Sequence, residues 1–288
     1  PICFAIGDIE GDINKLRNID NTIQKYSETS FIFIGDLIND LSDKCPDKNA
    51  NWSCIEFINQ KYLIHEDHDD NESNIDSLLK AIRQIKWTEK KYDEIKNRVK
   101  FIAGNSEYDC LSDFRQNPKR YGNKYVFGKG KWQKTVTLRQ LRLIYRYLKN
   151  CCSVIKMEDK NLPGIKKTIF FRHSLKKFDE KRIKQEILDQ RLHVTYEDYE
   201  MKNFIIVSGH TKIFAYEEPT EFQGKDMFFI IDTSTVTDKS RDWRIKNRYP
   251  NEIIGKGTND LRIAAVSTNK CGYFVEAFPK PFKFEKSP

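Results

Sequence analysis

Ile2-Cys3-Phe4-Ala5-Ile6-Gly7-Asp8-Ile9-Glu10-Gly11-Asp12 is the stretch whose reading decides the fold. An apolar run passes straight into a glycine and a carboxylate. Such a short run, bounded by a turn residue, reads as a buried strand. Glycine at its end lets the backbone turn sharply and sets the next side chain above the sheet edge. The same order recurs at Phe31–Ile34 before Gly35-Asp36, at Val99–Ala103 before Gly104-Asn105 and at Phe204–Ser208 before Gly209-His210. Two further runs lack the glycine: Thr168–Phe171 before Arg172-His173, and Met227–Ile231 before Asp232-Thr233.

Working outward, Asp12 to Lys25 carries Ile13, Leu16, Ile19 and Ile23 near helical spacing. Strand, turn, helix, strand is a βα unit and predicts an α/β fold. Ligands on such folds sit at the C-terminal ends of the strands, where all the polar punctuation falls. Two stretches, about 41–98 and 110–155, read as helical insertions capping the sheet edge. The first holds an acidic run, His65 to Glu72, and a helix from Ile75 to about Ile85. The second holds the basic amphipathic segment Thr137–Leu148 with Arg139, Arg142 and Arg146, read as a cap helix with a solvated basic face. No repeat and no Pro/Gly/Ser linker divides the chain, so residues 1–288 are expected to form one domain.

Composition sets the outer bounds. Hydrophobic residues make up 39% of the 288, enough for a sizeable core. The net charge of +8 favours anionic partners, although a Lys-, Asn- and Ile-rich composition also follows from an AT-rich genome such as a viral or protist one. Seven cysteines at irregular spacings, with no C-x-x-C, argue for a reducing compartment and against a disulfide framework. Cys151-Cys152 read as core thiols. No run approaches the ~20 apolar residues of a membrane span. The expectation is a cytoplasmic protein that does not engage the membrane.

The residues at the strand ends are Asp8, Glu10, Asp36, Asn105, His173 and His210. Carboxylates that bridge, with imidazole and amide oxygen to complete the shells, suit a dinuclear site for divalent ions. Each residue alone is more often structural; their order makes the signal.

Gly7-Asp8-Ile9-Glu10-Gly11-Asp12 with Leu16 resembles the G-D-I-H-G opening of the calcineurin-like metallophosphoesterases, in particular the phosphoprotein phosphatases and the bacterial diadenosine tetraphosphatases. Phe33-Ile34-Gly35-Asp36-Leu37-Ile38-Asn39 is similar to their F-L-G-D-x-V-D, and Gly104-Asn105-Ser106-Glu107 to G-N-H-E. Phe171-Arg172-His173-Ser174 and Val207-Ser208-Gly209-His210-Thr211 resemble the strands ending in H-G or H-S and in G-H-T. The resemblance implies a β-sandwich flanked by helices and two divalent ions, Mn²⁺ or Mg²⁺. Asp8, Glu10 and Asp36 would hold one ion, and Asp36, Asn105, His173 and His210 the other. The implied activity is hydrolysis of phosphate esters or nucleotide phosphoanhydrides. Substrates would be a phosphorylated small molecule, a nucleotide or a phosphoprotein.

The departures are selective. Glu10 stands for a histidine ligand and shifts preference toward hard ions. Ser106 stands for the general-acid His, and Asn39 for the Asp that orients it. Losing a general acid costs about 10²–10⁴ in rate. Asp40 stands for a phosphate-binding Arg, and Arg172 or Lys212 is the candidate to replace it in substrate binding. The alternative expectation is therefore a catalytically impaired pseudophosphatase that binds protein or nucleic acid through its basic inserts.

Overall fold

A computed structural model describes residues 2–38, 50–63, 75–115, 119–121, 124–126, 135–158, 168–173, 204–212, 228–232, 263–269 and 272–278. In chain order these form β1 (Cys3–Ile6), α1 (Ile13–Lys25), β2 (Ser30–Ile34), α2 (Ala50–Tyr62), α3 (Ile75–Gln84) and β3 (Glu89–Lys91). Then come β4 (Val99–Ile102), α4 (Asn105–Arg115), β5 (Lys119–Tyr121), β6 (Lys124–Val126), β7 (Thr135–Val136) and α5 (Leu138–Asn150). β8 (Cys151–Cys152), β9 (Val154–Glu158), β10 (Thr168–Arg172), β11 (Phe204–Lys212), β12 (Phe228–Asp232), β13 (Ile263–Asn269) and β14 (Gly272–Phe278) complete the order.

The strands build two mixed sheets rich in parallel pairs. The larger runs β14-β13-β1-β2-β4-β8, and the smaller β12-β11-β10-β9-β3. β5, β6 and β7 form a small antiparallel sheet of their own.

Period-two alternation explains how the layers stack. In the larger sheet, Cys3, Ala5, Ile32, Ile34, Ile102 and Cys152 point one way and meet Ile155, Met157, Ile169, Phe171, Ile205 and Val207 of the smaller sheet. Phe4, Ile6, Phe31, Phe33, Val99 and Phe101 point the other way, into a second core shared with the helices. Strands buried on both faces have no polar positions to spare, so they read as unbroken apolar runs. Phe33 and Phe101, opposite each other in the β2–β4 register, stack at 5.5 Å. The result is a sandwich of sheets with helices on the outer face of the larger one.

The two predicted insertions do more than cap an edge. The segment 41–98 supplies α2 and α3, whose Trp52, Ile55, Ile58, Leu78, Leu79 and Ile82 fill the helical core, and β3, which pairs with β9. The segment 110–155 supplies α5 and then β8, which pairs with β4. Helix α5 is amphipathic as expected: Leu141, Ile144, Tyr147 and Leu148 are buried, while Arg139 and Arg142 are exposed. Thr137 caps it reciprocally with Gln140.

One predicted boundary is corrected. β11 does not stop at Ser208 but continues to Lys212, with its register against β12 shifting between Ser208 and Lys212. A bulge of this kind absorbs Gly209 and His210 into the strand without a turn. The acidic run 65–72 and residues Asn39 and Asp40 lie outside the described residues. Among the described residues, Cys3, Cys54, Cys110, Cys151 and Cys152 are buried thiols, in keeping with the reading of Cys151-Cys152 as core thiols. Among the described residues, no helix is long and apolar enough to cross a membrane.

Candidate metal centre

The site is built on two turns at neighbouring strand ends, sewn to each other by backbone. After β1, the N–H groups of Ile9 and Glu10 donate to the Asp36 carbonyl at 3.1 and 2.8 Å, and Gly11 N–H donates to Leu37 at 2.8 Å. Glu10 and Gly11 take positive φ, 53° and 75°, to make the first turn. Asp12 then caps α1, accepting from Asn14 and Lys15 N–H at 2.9 and 3.0 Å. The ammonium of Lys15, itself buried, reaches back to the Asp8 carbonyl oxygen.

After β2, Gly35 and Asp36 are both left-handed, at φ 76° and 45°. Asp is among the few non-glycine residues that tolerate this region, and such strain clusters at functional sites. The conformation turns three successive amides inward. Asp36 N–H donates to Glu107 Oε2 at 2.9 Å, and Leu37 and Ile38 N–H donate to Oε1 at 3.1 and 3.3 Å. Gly104 N–H donates to Oε2 at 2.8 Å, and the Tyr147 hydroxyl to Oε1 at 2.9 Å. Burial first, and the Asp36 carboxylate next, push the Glu107 carboxyl up to about 7, against the opposing pull of its amide donors and His173.

His173 arrives from the other sheet, one residue past β10. Its Nδ1 lies 2.8 Å from the Ile34 carbonyl oxygen, which only accepts, so Nδ1 carries a proton and donates. In the neutral ring that leaves a lone pair on Nε2, the arrangement in which a backbone carbonyl orients a metal-binding histidine. Nε2 lies 2.9 Å from Asn105 Oδ1 and 3.5 Å from Asp36 Oδ1. Nδ1 is 3.9 Å from Asp8 Oδ1. The approach leaves no room for side chains on the glycines. A Cβ on Gly35 would stand 2.4 Å from His173 Nδ1, and one on Gly104 2.2 Å from Asp36 Oδ1.

Asp8, Asp36 and His173 each offer a ligand atom within 4.8 Å of the others, and all three are buried. Asn105 joins them through its contact with His173 Nε2. Ser106 lies beside them: its backbone N–H donates to Asp36 Oδ1 at 2.9 Å. Glu10 is not one of the three residues whose ligand atoms lie within 4.8 Å of one another; its backbone N–H joins the turn to Asp36. The side chain of His210 lies outside the described residues, but the preceding Gly209 abuts the site, since a Cβ there would fall 2.3 Å from Asp8 Oδ1. Arg172 is buried at the end of β10, in register with Ser208. Phe171 faces the core between the sheets, so alternation sets Arg172 on the opposite face of its sheet.

Sequence reading missed Glu107 as anything beyond a motif letter, and it missed Lys15 and Tyr147. The signal for Glu107 was its place in the first turn of a helix that opens on a candidate ligand. Lys15 and Tyr147 gave none.

The donor set fits a divalent cation. Adjacent ligands on a six-coordinate ion with bonds near ~2.1 Å stand about 3 Å apart, close to the Asn105, His173 and Asp36 spacings. Two carboxylates, an amide oxygen and an imidazole are donors that could hold such an ion. Buried carboxylates need a compensating charge, which a cation provides. Compared with protein-family models and with curated proteins, the chain gives no match.

Proposed function

We propose that this chain is a metal-dependent phosphoesterase of the calcineurin-like metallophosphoesterase type. The observation that carries the reading is the meeting of Asp8, Asp36 and His173, from three strand exits in two sheets, with ligand atoms inside 4.8 Å. The sandwich with parallel strands ending at the site, and the Gly-ligand order of Gly7-Asp8, Gly35-Asp36 and Gly104-Asn105, support it.

In this reading Asp36 would bridge two ions, Asp8 would hold one of them, and Asn105 and His173 would hold the other. A bound divalent ion supplies Lewis-acid neutralisation of phosphoryl oxygens and a nucleophilic water at neutral pH. The chain's own residues orient His173 through the Ile34 carbonyl and fix Asp36 through Glu107 and the Ser106 N–H. At the acid position Ser106 has no group that donates a proton at neutral pH. The substrates that suit such a site have good leaving groups: nucleotide phosphoanhydrides or aryl phosphates ahead of phosphoserine. Five buried free thiols suit a reducing, cytoplasmic compartment.

Ser106 also favours a second reading, in which the site binds metal but turns nothing over and the fold serves as a binding module. One experiment separates them. Metal-stripped protein is assayed on p-nitrophenyl phosphate with Mn²⁺ or Mg²⁺, beside Asp36→Asn. Turnover restored by metal in wild type alone supports the phosphoesterase. Equal silence from two folded proteins removes it and leaves the binding module.

A further inference from the structure

We infer that Glu107 is a positioning residue: its carboxylate is the clasp that fixes Asp36 in its left-handed conformation and staples the exit of β2 to the exit of β4. The inference rests on the metal-site reading above for its consequence, and on hydrogen bonding for its basis. Five donors converge on two oxygens. Oε1 accepts from Leu37 N–H, Ile38 N–H and Tyr147 O–H; Oε2 accepts from Asp36 N–H and Gly104 N–H. The side chain is fully buried, so no water substitutes for any of them.

The pattern specifies a carboxylate. Every neighbour of the two oxygens is a donor, and a carboxyl group, unlike an amide, presents no N–H to them. Glutamine has the same size and shape but presents an N–H₂ at one position. Turned either way, that group faces two backbone N–H groups: Leu37 and Ile38, or Asp36 and Gly104. The hydroxyl of Tyr147 can rotate to adapt; the amides cannot.

The clasp also explains the close approach at the site. One oxygen, Oε2, holds the amides of Asp36 and Gly104 together, and this pulls Gly104 to where a Cβ would strike Asp36 Oδ1 at 2.2 Å. With both exits pinned, Ser106 N–H lies 2.9 Å from Asp36 Oδ1, and His173 finds Ile34 and Asn105 on either side. Tyr147 ties this strut to α5, and its ring meets Phe101 edge-on at 5.7 Å. A helix in a segment that resembles an insertion thereby braces the site from behind.

The test uses the full chain and two readouts. The first is amide hydrogen exchange without metal. In wild type, the amides of Asp36, Leu37, Ile38 and Gly104 are expected to be protected to the level of neighbouring β2. In Glu107→Gln they are expected to lose at least about tenfold in protection while Ile32, Phe33 and Ile34 keep theirs. The second is Mn²⁺ affinity by electron paramagnetic resonance. Glu107→Gln is expected to weaken it by ~10–100-fold, the usual cost of losing a supporting contact, and Tyr147→Phe by less. Ile82→Val in α3 serves as a destabilised control away from the site. Unprotected loop amides in wild type overturn the inference even if Glu107→Gln does not fold. A folded Glu107→Gln that keeps wild-type exchange and affinity also overturns it and leaves the metal site standing. If wild type binds no Mn²⁺ but the amides behave as described, the clasp stands and the metal reading falls.

Discussion

His173 Nδ1 donates to the carbonyl of Ile34 at 2.8 Å across 139 residues of chain. The bond joins the end of β10 in one sheet to the end of β2 in the other. It also decides which ring nitrogen carries the proton, and hence which faces Asn105 and Asp36. Loss of the ring therefore costs both a ligand and the tie. His173→Ala is expected to weaken Mn²⁺ binding by more than the ~10–100-fold of an outer contact. Titration of metal-stripped protein checks this, and unchanged affinity would remove His173 from the site.

Gly104 and Gly209 are expected to tolerate no side chain. Alanine at either puts a methyl group within 2.2 or 2.3 Å of Asp36 Oδ1 or Asp8 Oδ1. Overpacking of this kind costs about 1–3 kcal/mol. Urea unfolding of Gly104→Ala and Gly209→Ala should show that loss, with metal affinity falling alongside. A variant as stable and as tight-binding as wild type would mean that these glycines do not set the closeness of the strand exits.

Asp12 contributes through α1 and not through the metal. Replacing it with alanine leaves the N–H groups of Asn14 and Lys15 without their acceptor. The expected cost is about 1 kcal/mol. Mn²⁺ affinity should change little by comparison with Asp8→Ala, so the ratio of the two effects reports whether the cap and the ligand are separable.

The described cysteines should be silent in the folded protein. Burial pushes the thiols of Cys3 and Cys152 up to about 12, and that of Cys151 well above its usual value. Thiolate is the reactive form, so folded protein should resist alkylation at these positions even at pH 9. Mass mapping after iodoacetamide, with and without denaturant, gives the answer. Rapid labelling of Cys3 or Cys152 in native buffer would contradict their packing between the sheets.

Restoring the acid pair should change selectivity more than raw speed. If positions 106 and 39 are those of the acid and its orienting residue, as the resemblance of their motifs implies, Ser106→His with Asn39→Asp supplies a proton donor and its partner. Alkyl phosphates, which need protonation of the leaving oxygen, should gain up to about 10²-fold in kcat/KM. p-Nitrophenyl phosphate should gain far less. Equal gains on both substrates would show that the new histidine does not act as the acid.

Much of this was legible in the chain. β1 and β2 stood out because strands buried on both faces carry few polar residues, β4 and β10 stood out by their mostly apolar runs, and each is followed closely by a candidate ligand. α1 was readable from Leu16, Ile19 and Ile23, all buried. β9 left a fainter trace, with only Ile155 and Met157 buried in alternation. The continuation of β11 was hidden because Gly209 looks like a terminator, and a register shift leaves no mark in sequence. The clasp was illegible for a different reason. Glu107 and Tyr147 are 40 residues apart, and a buried carboxylate facing backbone amides depends on where loops fold, which side-chain periodicity does not encode.

β1 lies between β2 and β13, with Cys3 opposite both Ser30 and Val266. During synthesis β1 therefore waits for one of its two partners until residues 263–269 have been added. At ~5–20 residues per second, that interval is roughly 10–50 s. Throughout it, an apolar strand presents an open hydrogen-bonding edge, the form in which chains pair wrongly. The larger sheet thus depends on a strand more than 200 residues downstream of β1, so ribosomal stalling or early termination upstream of β13 would release a chain whose central strand is still unguarded.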